Sequence, residues 1–167
     1  MEPDFRALQL IAEISLGIVG FSAILIALSR SKDGFSAPDT FRIQLLTYSA
    51  FGAMFCALIP FAIFSETGSI GMSWFAVSGM LFLYSCIGLS IFPRRVLNLR
   101  KHGYKDLFPV QIISIQIGIL SMNAILSAMI MFDIIQVNKN GIYLLCLMFF
   151  IVQSTIAFIR TVFVRVE

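Results

Sequence analysis

A chain of 167 residues with 59% hydrophobic and only 13% charged side chains cannot clothe a water-soluble globule, which carries about 25% charged residues. Its few charges, net +3, gather in short segments between long uncharged runs, the pattern of bilayer spans and not of one buried core. Loops subtracted, no room remains for a soluble domain, so any function belongs in or beside the membrane.

Five spans are expected: Ala7–Leu28, Ile43–Phe64, Met72–Phe92, Val110–Phe132 and Ile142–Phe163. Each is about 21 to 23 residues long, enough at about 1.5 Å per residue to cross a hydrocarbon core of about 30 Å. The runs are apolar on nearly every face, whereas barrel strands alternate. The expected fold is therefore an all-α integral membrane protein, a single transmembrane domain over residues 1–167.

Before the first span, Met1 to Arg6 has no net positive charge. The apolar run that follows is too long for a signal peptide, so this span is expected to be retained, its helix starting at Pro3 and Asp4. Glu13 lies about a third of the way in. A carboxylate at mid-membrane costs about 2.5 to 3.5 kcal/mol, less near the interface, so Glu13 is expected to face protein or water, or to be protonated. Helical spacing aligns it with Gly17, Gly20 and Ala27, and the two glycines admit a close neighbour. Glu13 then either bonds a neighbouring helix or lines an ion path.

The second span carries a small-residue stripe, Ser49, Gly52, Ala53 and Cys56, with Pro60 expected to kink or end it and Glu66 closing its outer end. The third carries Ser78, Ser85 and Gly88, with Trp74 expected at the outer boundary. A basic loop over residues 93–109 follows. Its Arg94, Arg95, Arg100, Lys101 and Lys105 are either ordinary topology determinants or lipid-headgroup ligands, and residues 95–108 are a candidate surface segment.

The fourth span is the most polar. Gln116, Asn123 and Ser127 share one face, while Ser114, Gly118 and Ser121 share the opposite one, which suits an interior helix. Asn123, near the midplane, is expected to hydrogen-bond a neighbouring helix or to line a pore. Asp133 closes the outer end, and with Glu66 it forms a candidate outer acidic pair. Gln153, Ser154 and Thr155 interrupt the fifth span. Cys56, Cys86 and Cys146 all lie in apolar stretches and read as small fillers.

Orientation follows from the cations. Arg30, Lys32, Arg42, Arg94, Arg95, Arg100, Lys101, Lys105, Arg160 and Arg165 share one face; only Arg6 and Lys139 share the other. The bias places the N-terminus outside and the C-terminus in the cytoplasm. An offset of 67 residues aligns Phe41 with Phe108, Gln44 with Gln111, Thr47 with Ser114, Ala57 with Ala124 and Glu66 with Asp133. That suggests one leading helix followed by two repeated hairpins.

Ala12-Glu13-Ile14, Gly17-Ile18 and Gly20-Phe21, followed by Arg30, Arg42 and Pro60, resemble small multi-pass bacterial membrane proteins. The resemblance covers the first third of the chain and implies no activity.

No span contains Lys, and P-loop, zinc-protease and serine-hydrolase motifs are missing. No nucleophile–base pair can be assembled and no His/Cys metal site is apparent. The expected function is accordingly non-enzymatic, with no cofactor, no metal and no nucleic-acid partner. The first expectation is a homo-oligomeric channel or small transporter with a cation path between subunits. Glu13, Gly17, Gly20, Gln116, Asn123 and Ser127 are its pore or packing candidates. The second is a non-catalytic scaffold or accessory subunit docking a partner membrane protein. Size and style suggest a bacterial inner membrane.

Overall fold

A computed structural model describes residues 2–29, 36–66 and 69–163. Arg30, Lys32 and Arg165, counted above for orientation, lie outside the described residues, as does the side chain of Glu66. The described chain forms five helices: α1 (Phe5–Ser29), α2 (Ala37–Glu66), α3 (Ile70–Lys101), α4 (Val110–Met131) and α5 (Lys139–Phe163). All five are long and apolar enough to cross a membrane, which marks a multi-pass membrane protein.

Local chemistry sets the helix ends. Asp4 caps α1, its Oδ1 accepting from the amides of Arg6 and Ala7 at 3.1 Å. Ser36 caps α2, its hydroxyl accepting the Asp39 amide at 3.3 Å and donating to the Asp39 carboxylate at 2.6 Å. Helix α3 closes with Gly103 at φ +100°; the Tyr104 amide reaches back to the Leu99 carbonyl and the Gly103 amide to that of Arg100. Helix α4 closes the same way, with Asp133 at φ +59° and the Ile134 amide on the Met129 carbonyl at 3.0 Å.

Helices α2, α3, α4 and α5 form a closed ring in chain order, and α1 packs outside it against α2 and α5. The α2–α5 seam is antiparallel: Tyr143 Oη donates to the Cys56 carbonyl at 2.6 Å, and Ser154 Oγ to that of Leu46 at 3.2 Å. Between α2 and α3 the rings of Tyr48 and Tyr84 stack at 4.3 Å, and each hydroxyl donates to the other tyrosine's carbonyl. Gly88 makes room for Tyr48 and Gly52 for Tyr84, since a Cβ at Gly52 would collide with the Tyr84 ring.

The interior mixes apolar and polar side chains, and the outer surface is strongly apolar. Ser49, Asn123, Ser127, Gln153 and Ser154 are fully buried, while Leu16, Phe55, Leu83, Ile115 and Ile125 are exposed. Water would select the reverse; lipid makes no such demand, and packing then favours small and polar groups within. The buried serines mostly bond within their own helix, as Ser15 does to the Ile11 carbonyl at 2.7 Å and Ser85 to that of Leu81 at 2.9 Å.

Several sequence expectations change in detail. Helix α3 does not stop at Phe92 but runs through Pro93 to Lys101, taking the first half of the expected basic loop and surface segment. Leaving hydrocarbon ends an apolar run without ending a helix, because Arg, Leu and Lys remain good helix formers in water. Pro60 does not end α2, which continues to Glu66. Trp74 stays in the first turns of α3, at the end where it is expected, but is 2% exposed, its ring turned inward against Phe64 and Tyr143. Ser114 and Gly118 face outward, so α4 is a ring member with one outer face and not an enclosed central helix.

Candidate functional site

Three groups of residues carry chemistry beyond apolar packing: a buried polar layer, an outward stripe on α1, and a basic end.

The polar layer contains the candidates Gln116, Asn123 and Ser127, on one face of α4 as their spacing requires, and all three point into the ring. Ser127 Oγ donates to the Asn123 carbonyl at 2.6 Å. Among the described residues, neither amide atom of Asn123 nor of Gln153 finds a hydrogen-bond partner, and the same holds for Ser49 Oγ. The expected bond from Asn123 to a neighbouring helix is therefore not made. Gln116 and Gln153 meet at a cavity walled by Phe41, Leu45, Phe92 and Leu120, with room for about one water.

The stripe on α1 faces the other way. Leu8, Ile11, Ala12 and Ser15 turn toward the ring, while Gln9, Glu13, Gly17 and Gly20 are exposed. Gln9 Nε2 donates to Glu13 Oε1 at 2.8 Å. A Cβ at Gly17 or Gly20 would meet nothing within 4 Å. Beside Gly17, an apolar groove of about 340 Å³ runs between α1 and α5, bounded by Phe21, Thr155 and Phe158. The pore or packing candidates thus divide into an inward set on α4 and an outward set on α1, and no contact joins them.

At the basic end, two arginines not singled out in sequence are buried: Arg42 is 1% exposed and Arg160 9%. Their guanidinium carbons lie 5.7 and 5.4 Å from the Phe108 ring centroid, a cation–π arrangement worth about 0.5 to 2 kcal/mol. Arg42 also pairs with Asp39 at 3.3 Å. Arg160 donates to the Leu107 carbonyl, and Arg100 to that of Phe108 at 3.0 Å. The turn before α4 is pinned by these cations. Periodicity carried the signal: Arg42 is in register with Leu45, Leu46 and Ser49, and Arg160 with Gln153 and Ala157. Of the headgroup candidates, Arg94, Lys101 and Lys105 are exposed, Arg100 is half-buried, and Arg95 is exposed with its guanidinium donating to the side-chain Oε1 of Gln44.

At the opposite end, Asp133 pairs with Lys139 and serves the α4 cap, so its carboxylate already has work. Among the described residues, no group of three His, Cys, Asp or Glu side chains could hold a metal ion.

The chain matches no protein-family model, no curated protein and no solved structure.

Proposed function

We propose that the protein works as a homo-oligomer in a cell membrane, with a path for small cations between subunits lined by the outward stripe of α1. Glu13 carries this reading: it is a carboxylate on an exposed face of a span-length apolar helix, partnered among the described residues by Gln9. Left against lipid it costs about 2.5 to 3.5 kcal/mol at mid-membrane, a cost relieved when other subunits or water cover it. Gly17 and Gly20 leave the stripe flat enough for a second helix to approach. Glu13 then sets cation preference, while Gln116, Asn123 and Ser127 belong to the subunit interior. The Lys and Arg asymmetry favours an outside N-terminus and a cytoplasmic C-terminus, in a bacterial inner membrane. A hairpin repeat is supported by the ring itself: exchanging α2–α3 with α4–α5 carries the α2–α5 seam onto α3–α4.

Cation flux into proteoliposomes tests the proposal. Wild-type protein conducts, and Glu13→Gln lowers the cation-to-anion ratio; equal flux and selectivity in both removes Glu13 from any path. A second reading, a non-catalytic scaffold docking a partner membrane protein, is favoured by the filled subunit interior. Recovery of a stoichiometric partner from gently solubilised membranes, together with absence of flux, selects it.

A further inference from the structure

We propose that a groove at the basic end, between the first turns of α2 and the last turns of α3, seats the headgroup phosphate of an anionic phospholipid. At about 1.5 Å per residue, the 32 residues of α3 span about 48 Å, well beyond a hydrocarbon core of about 30 Å. The turns after Phe92, where the apolar run ends, therefore stand at headgroup level. There the groove opens, about 750 Å³ in volume.

Its polar wall is made by Thr40, Arg95, Asn98, His102 and Tyr104, and its apolar wall by Phe41 and Leu99. Among the described residues, no carboxylate lines it. The nearest acid along α2, Asp39, is occupied by Ser36 and Arg42. Arg95 is held across the groove by Gln44, which uses one of its five N–H donors and leaves others for an oxyanion. The groove also abuts the first turn of α2, whose peptide dipoles add positive potential. Lys101 raises it further from the same helix end, whereas exposed Arg94 lies outside the groove's lining. A phosphate diester meets donors and positive charge here, while its glycerol and first methylenes meet Phe41 and Leu99.

Native mass spectrometry of the protein released from nanodiscs of equal phosphatidylglycerol and phosphatidylcholine tests this directly. Wild-type protein retains phosphatidylglycerol in preference. Arg95→Gln reduces that retention on the order of five-fold, Arg95→Lys largely restores it, and Arg94→Gln, on the exposed side, leaves it in place. His102→Gln provides a second lining variant should Arg95→Gln fold poorly, with the same direction of change. Equal retention of both lipids, or equal losses from Arg94→Gln and Arg95→Gln, overturns the site in favour of diffuse surface charge. Displacement of the lipid by millimolar inorganic phosphate overturns it in favour of a soluble phosphate ligand. The readout is bound lipid mass, so loss or absence of flux has no bearing on it.

Discussion

Asn123 and Gln153 occupy the least forgiving position in the molecule: wholly buried amides without a bond to the described protein. A buried polar group left unpaired costs about 1 to 3 kcal/mol, so an apolar residue of similar shape should relieve the cost. Asn123→Leu is expected to raise the thermal unfolding midpoint in detergent, and Asn123→Asp to lower it sharply. Matching losses from both would show that the amide is bonded in the working protein. Sequence placed Gln116, Asn123 and Ser127 on one face, and the ring takes that face inward. The burial of Arg42 and Arg160 was harder to read, because a cation near a span end usually reads as topology. Only their register with apolar neighbours separates them from exposed Arg94, and that distinction depends on which face the ring selects.

Among the elements, the glycines divide by surroundings. Gly52 lies under the Tyr84 ring, whereas Gly20 meets nothing within 4 Å. Gly52→Val is therefore expected to destabilise the subunit by about 1 to 3 kcal/mol through overpacking, measured by thermal or denaturant unfolding in detergent. Gly20→Leu should leave subunit unfolding unchanged and shift the oligomer toward monomer in native mass spectrometry; a destabilised subunit with unchanged assembly would contradict the outward placement of α1. Five helices were legible from run length and charge spacing alone. The boundaries were less so: hydropathy marks where hydrocarbon ends, while Ser36 and Gly103 mark where helices start and stop. Small-residue stripes likewise announced close approach without naming the neighbour. On α2 and α3 they admit the paired tyrosines, and on α1 they face away from the subunit.

At the scale of the whole molecule, a coat of exposed Leu, Ile and Phe around five span-length helices is stable only with lipid outside. Helix α1 packs on the outside of the ring against α2 and α5, and it turns the Gln9–Glu13 pair onto that coat. This separation of a closed four-helix ring from an added helix was present in sequence only as the faint match between two hairpins. The ring pairs α2 with α5 and α3 with α4, the arrangement that the proposed hairpin repeat requires.

Labelling single cysteines introduced into a cysteine-free variant with a membrane-impermeant maleimide tests five crossings most directly. Glu2, Ser69 and Asn138 should react from one side of sealed vesicles, and Thr40 and Asp106 only from the other. Reaction of Glu2 and Asp106 from the same side would contradict the five-span account.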